Sequence, residues 1–283
     1  MCTDRLALGG RVVLADLASQ EGKAAAQAAA AGYSNEDVVF VSVDTRRVDD
    51  LERCAQVAAQ LGTLTCWFNN AGFAMPTDNV ASIRANGLAP ELRNMLEVNT
   101  LAHINGSGVA MRAFGPDGGV VVSTASMAGI LPLGAPPVYS ASKAAVVHFT
   151  RAMGLTLGEE SNVRFYCLCP SYTATAQGPP IEQIKASVGG VLRAEHMGDG
   201  FIMLATQRPP NGSIMRVTAR RGGTQVVHDI IVYGKELGGE ERARDGLVMK
   251  SAPLEPMDKD EMQRMNQANE AGRNHEGMKV AKL

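Results

Sequence analysis

The chain has 283 residues, a formal net charge of −2, and 45% hydrophobic against 20% charged residues, a composition that suits one large α/β domain with an extensive core. Balanced charge, with no basic stretch interleaved with aromatics, excludes the electrostatic footprint of a nucleic-acid binder and points to a small-molecule partner. No run reaches the roughly 18 apolar residues of a membrane span, and the N-terminus carries no basic head with an apolar core, so a soluble protein with no membrane span and no nucleic acid is expected.

Residues 11–17, RVVLADL, read as a short β-branched strand feeding an Ala-rich helix over 18–31. Asp16 stands at the strand's carboxyl end, where dinucleotide folds place an acid on the adenine ribose and where a carboxylate would repel a 2′-phosphate. A charge at a helix N-terminus is an equal alternative. A second strand over 38–43 ends at Asp44, and a helix over 49–61 stops at Gly62. A third strand, 64–68, runs into Asn69-Asn70-Ala71-Gly72, where small residues let backbone approach a ligand. Residues 73–90 read as loop, followed by a helix over 91–114 with Asn99 at its middle, where an inward Asn can distort the helix and hold a water.

A buried strand from Val120 leads to Ser126. Tyr139-Ser-Ala-Ser-Lys143 then opens a helix-like run over 141–157, and the four-residue step places Tyr and Lys on one helical face. An ammonium beside the phenol would draw its pKa toward the working range, which makes the pair a proton-transfer candidate; an exposed surface pair is the plainer alternative. A strand over 162–168 reaches a polar loop through Thr175, and 177–197 reads as a mobile lid. The last strand is expected at 213–218, closing the globular unit by 223. The remainder, 224–283, reads as a charged extension, partly helical over 259–271 and partly disordered.

Cys2, Cys54, Cys66, Cys167 and Cys169 are odd in number and scattered, which argues for a reducing compartment. Cys167 and Cys169 are expected to alternate along their strand with side chains on opposite faces, a poor pair for a metal, and no metal site is expected. The strand and helix alternation predicts parallel βα units with ligands at the strands' carboxyl ends, where Asp16, Asp44, Asn70 and Ser126 all fall.

VVLADL, VSVD, NNAG, EVN, STASMAG, YSASK and NVRFYCLCP together resemble the short-chain dehydrogenase/reductase family from Arg11 to about Gly223. SMAGILPLGAPPVYSASK, HFTRAM and NGSIMRVTARRG are most similar to its NAD-dependent hydroxyprostaglandin dehydrogenase branch. The resemblance implies a Rossmann-type doubly wound parallel sheet and NAD(H)-dependent interconversion of a secondary alcohol and a ketone on a hydrophobic, lipid-like substrate. It implies Tyr139 as general acid/base, Lys143 as the group that lowers its pKa and binds the nicotinamide ribose, Ser126 on the reacting oxygen, and Asn99 on a relay water. Asp16 and Leu17 would bind the adenine ribose, and Asp44 and Thr45 the adenine. Asn70, Ala71 and Gly72 would line the adenosine ribose and phosphate side. Pro170, Tyr172, Thr173 and Thr175 would frame the nicotinamide. A homodimer or homotetramer is usual in the family.

Two departures stand out. Ser171 replaces the glycine that follows the family's proline. The glycine-rich pyrophosphate loop belongs roughly 20 residues before Asp16, and the first strand and this loop are expected to be lacking, leaving the strands at 11–16 and 64–68 without the one between them. That loss keeps open a second reading, a degenerate or truncated member acting as a binding or oligomerisation module. The terminal Ala281-Lys282-Leu283 resembles a peroxisomal address in a eukaryote; otherwise a cytoplasmic protein is expected.

Overall fold

The computed structural model describes residues 10–19, 37–131, 136–174, 190–219 and 226–231. Strands β1 (Val12–Asp16) and β2 (Val38–Ser42) pair in parallel as a sheet of their own. A five-stranded sheet follows in the order β3 (Cys66–Asn69), β4 (Gly119–Thr124), β5 (Val163–Pro170), β6 (Ile214–Ala219) and β7 (Val226–Ile231), parallel except for β7. Among the described residues no strand joins β1 to β3. The two sheets still share a core: Val41, Val43 and Val13 pack with Trp67, Val109 and Val121.

Six α-helices are described: α1 (Val48–Leu61), α2 (Val80–Asn86), α3 (Pro90–Leu96), α4 (Ala102–Ala113), α5 (Pro137–Leu157) and α6 (Ala194–Gln207). They cover both faces of the large sheet, so its central strands are buried on both sides and read as continuous apolar runs. β4, for instance, is buried over five of its six residues. Strand periodicity splits them between layers: Val121 and Phe165 face α1 and α4, whereas Val120, Val122, Tyr166 and Leu168 face α6 with Leu192 and Leu204.

Several expectations change. Residues 73–90 contain α2, started by the Asn79 side chain accepting from Ser82 N–H and ended at Gly87. The helix expected over 91–114 is interrupted by a π-helical turn, Glu97–Leu101, centred on Asn99. α5 begins at Pro137, whose fixed φ and missing N–H suit a first helical position, so Tyr139 lies inside the first turn. Residues 194–197 of the expected lid belong to α6. β7 pairs along its length with β6, so the sheet continues past 223 and the expected boundary falls between two partnered strands. Cys167 and Cys169 are two residues apart and therefore share a face, the reverse of the expectation; their sulfurs lie 3.9 Å apart in one buried cluster. Cys2, Thr175, the expected helix beyond residue 19, most of the lid and the C-terminal extension with Ala281-Lys282-Leu283 lie outside the described residues.

Among the described residues no helix is long and apolar enough to cross a membrane, and no group of three metal-ligating side chains occurs.

Candidate active site

The carboxyl ends of β3 and β4 open side by side, and the first turns of α5 lie across them. Asn69, the last residue of β3, is buried and ties three elements together. Its Oδ1 accepts from Trp67 Nε1 at 2.8 Å, and its Nδ2 lies within reach of His103 O, Ser107 Oγ and Ser123 Oγ. A buried amide so fully partnered fixes the turn that follows. Asn70, Ala71 and Gly72 emerge from that turn. Asn70 is exposed, its side-chain oxygen accepting from Thr124 Oγ1 at 2.9 Å. The Ala71 carbonyl accepts from His103 Nε2 at 2.9 Å.

Lys143 is buried, 3% exposed. Its Nζ donates to the Thr124 carbonyl at 2.9 Å and lies 5.8 Å from the Tyr139 ring centroid. Burial pulls the ammonium down from 10.5 to about 8, with the Cys167 and Cys169 thiols opposing weakly. Gly72 is the wall beside it: a Cβ there would sit 2.9 Å from Lys143 Nζ and 3.1 Å from Asn99 Oδ1. Gly129, in the 3-10 turn Met127–Gly129, serves the same end, since a Cβ would lie 2.6 Å from the Lys143 carbonyl.

Asn99 is fully buried and uses both ends of its amide. Oδ1 accepts from Phe73 N–H at 2.9 Å, and Nδ2 donates to Phe73 O at 2.8 Å and to Ser142 Oγ at 3.2 Å. The widened π turn lets an Asn reach sideways to a neighbouring strand-end loop instead of lying along its helix. Thr100 Oγ1 adds a bond to the Ser142 carbonyl at 3.1 Å. Asn99 therefore locks the NNAG loop to the turn of α5 that carries Lys143.

Ser126 opens the 3-10 turn; its Oγ accepts from Ala128 N–H at 3.1 Å and donates to the Tyr139 phenol. Burial raises the phenol's pKa, and the Ser126 bond opposes the rise. Desolvation is the largest influence on this phenol, and the nearby Lys143 ammonium is held by the Thr124 carbonyl. Beneath them, Cys169 Sγ accepts from Ser126 N–H, and burial drives that thiol well above its ordinary range. Behind Lys143, burial and the ammonium push His103 from 6.5 down to about 3, and its Nδ1 is buried without a partner.

The remaining candidates are spread along the adjoining strand ends. Asp16 is exposed, its Oδ1 accepting from Leu17 N–H at 2.7 Å. Asp44 is gripped by Arg46, which holds its carboxyl below the ordinary range, while Asp44 N–H donates to Asp50 Oδ2 at 2.9 Å. Thr45 sits half-buried in that turn. Pro170 ends β5; Thr173 Oγ1 donates to Ser171 O at 3.2 Å, and burial raises the Tyr172 phenol. Ser171 N–H donates to Val217 O at 2.8 Å, and its hydroxyl is buried without a partner. The fold thus brings Asn99 and Lys143 against Gly72 and Tyr139 beside Lys143 and Ser126, with Asp16 at the end of β1 and Asp44 and Thr45 in the turn after β2. Asn69, His103, Arg46 and Asp78, the last discussed below, were not singled out by sequence. The two asparagines of NNAG are alike by type, and the other three act through partners 32 to 61 positions away or through a local fork.

A short chain dehydrogenase family profile matches residues 1–185. The chain is 27% identical over 235 residues to 15-hydroxyprostaglandin dehydrogenase of Mus musculus, named as an NAD(+) enzyme, covering 76% of this chain and 82% of that one. It is 30% identical over 246 residues to momilactone A synthase of Oryza sativa subsp. japonica, covering 80% and 86%. A solved short-chain dehydrogenase/reductase from Brucella melitensis superposes with a TM-score of 0.63 at 20% identity, over 76% of this chain and 87% of its own.

Proposed function

Because this chain belongs to the short chain dehydrogenase family, a family of oxidoreductases acting between secondary alcohols and ketones, we propose that it does so with NAD(H) on a hydrophobic, lipid-like hydroxy compound. The observation that carries the reading is the grouping of Tyr139 with Ser126 and with the Lys143 ammonium, 5.8 Å from its ring, while Lys143 and Asn99 close on the wall formed by Gly72.

The residues fit a nicotinamide dinucleotide in two of its three parts. Gly72, having no side chain, lets Lys143 Nζ close on the loop backbone, a buried ammonium suited to ribose hydroxyls. Asp16 presents an exposed carboxylate at the far end, suited to ribose hydroxyls and unfavourable to a 2′-phosphate. A glycine-rich pyrophosphate turn is not among the described residues. When bound, the dinucleotide supplies the hydride acceptor or donor. The chain's part is the proton. Ser126 holds the substrate oxygen, and Tyr139 takes the carbinol proton in oxidation or returns it in reduction. Lys143, charged below about pH 8, steadies the phenolate as it forms, and Asn99 keeps the lysine's turn of helix in place. The lipid-like substrate class is suggested by the likeness to 15-hydroxyprostaglandin dehydrogenase.

The experiment is a titration of the full chain with NAD and NADP, read by thermal shift, followed by nicotinamide absorbance over a panel of hydrophobic secondary alcohols. NAD-dependent stabilisation with turnover supports the reading; no binding at millimolar NAD contradicts it. The separation of the β1–β2 sheet from the large sheet favours a second reading, a non-catalytic binding or oligomerisation module, which the same titration distinguishes. Self-association is supported by an exposed apolar stripe of Leu101, Ile104 and Met111 at helical spacing along α4 and the turn before it. Light scattering of Ile104→Glu, with a smaller mass than the unmodified chain, would bear that out.

A further inference from the structure

Asp78 is the one acidic residue among the described residues that is fully buried, at 0% exposure, and nothing in the proton-transfer site accounts for it. Its Oδ1 accepts from Val138 N–H at 3.0 Å and its Oδ2 from Tyr139 N–H at 2.7 Å. Those are the second and third residues of α5, whose amides have no partner within the helix. The residue flanking the helix, Pro136, makes no side-chain cap. The cap comes instead from 60 and 61 positions upstream, out of the turn in which Asp78 N–H donates to Met75 O at 3.0 Å.

The two ends of the catalytic segment are therefore held by different devices. One turn into α5, Lys143 and Ser142 are anchored by Thr124, Asn99 and Thr100. The first turn, which carries Tyr139, is held at its backbone by the Ser140 Oγ bond to Pro136 O at 2.9 Å, by Ser142 Oγ donating to Tyr139 O at 2.7 Å, and from outside the helix by the Asp78 carboxylate. A carboxylate at a helix N-terminus is also favoured by the helix dipole. We propose that Asp78 is a positioning residue, a clamp that fixes the rotation of the first turn of α5 and so the placement of the Tyr139 phenol against Ser126 and Lys143. It links the segment just after the Gly72 wall to the backbone of the proton-transfer residue, so the wall and the phenol keep one geometry. Its catalytic half rests on the oxidoreductase reading above; its structural half does not.

The test uses Asp78→Asn, which keeps the shape but offers one acceptor in place of two, Asp78→Ala, which removes both, and Asn79→Ala as a control that uncaps α2 and leaves α5 untouched. Well below the melting temperature, kcat falls about 10-fold in Asp78→Asn and about 100-fold in Asp78→Ala, the scale of a small misplacement at a reacting group. NAD affinity stays within about twofold and Asn79→Ala keeps its kcat. Amide exchange at Val138 and Tyr139 speeds up in both Asp78 variants and not in the control. An unchanged kcat with only a lower melting temperature would reduce Asp78 to a stabilising cap and overturn the proposal. If the unmodified chain turns over no alcohol, the oxidoreductase reading fails by itself, and the clamp is then judged on exchange, where unaltered Val138 and Tyr139 amides overturn it.

Discussion

The two ends of the candidate site are built differently. Around Lys143 three buried polar side chains are bonded to distant elements: Asn69 to α4 and β4, Asn99 to the Phe73 backbone, Asp78 to α5. On the β1–β2 sheet, Asp16 is exposed and bonded only to its own neighbour, and Asp44 is engaged two residues on with Arg46. Networks of the first kind hold one geometry because any displaced member leaves a buried group unpaired; those of the second kind bend at little expense. The end around Lys143, proposed for proton transfer, is thus organised in advance, whereas the end around Asp16 and Asp44, proposed for adenine, is held by local, solvent-exposed bonds.

That contrast can be broken by pH. Between its unfolded value of 6.5 and its folded value of about 3, His103 is protonated in the unfolded chain and refused a proton by the fold. Stability is therefore full above pH 6.5 and declines as pH falls toward 3, by a loss on the order of 5 kcal/mol. Denaturant titration should show this slope in the unmodified chain and its absence in His103→Gln. Lys143 acts in the alkaline window in the same sense: its pKa is lowered from 10.5 to about 8, so its contribution to stability rises with pH between those values.

A smaller break comes from Gly72→Ala, whose Cβ would meet the lysine Nζ at 2.9 Å. Displacing the ammonium should lower kcat about 100-fold with the fold retained by circular dichroism. At the adenine end the effects shrink. Asp16→Ala should shift the NAD to NADP preference about tenfold through the removed repulsion of a 2′-phosphate, read as the ratio of kcat/KM values. Arg46→Ala, which cuts an ion pair whose arginine side chain is 42% exposed, should cost under about 1 kcal/mol, and less in high salt.

How much of this was legible in the sequence follows from the range of the interactions involved. Tyr139, Lys143, Ser126 and Asn99 declare themselves because their spacing is set by one helix, one strand end and one distorted turn, all local. The parallel sheet was legible for the same reason, in buried runs such as that of β4. Asp78 was not, since its partners lie 60 and 61 positions away and a single Asp in a Pro-containing loop has the look of any turn residue. β7 was taken for the start of a tail because its run is short and charged chain follows, yet edge pairing with β6 needs only that run. How far burial bears on Lys143 and Tyr139 was not legible either, because it acts on both groups and only the fold shows how deeply each is placed.

The central claim is that Tyr139 carries the proton at a site organised before cofactor arrives. The most direct test is single-turnover oxidation of a hydrophobic secondary alcohol by the full chain and by Tyr139→Phe, with NAD saturating and its affinity measured in parallel. The account predicts unchanged NAD affinity and a hydride-transfer rate lower by roughly 100-fold or more. A Tyr139→Phe chain that transfers hydride at the unmodified rate would contradict it.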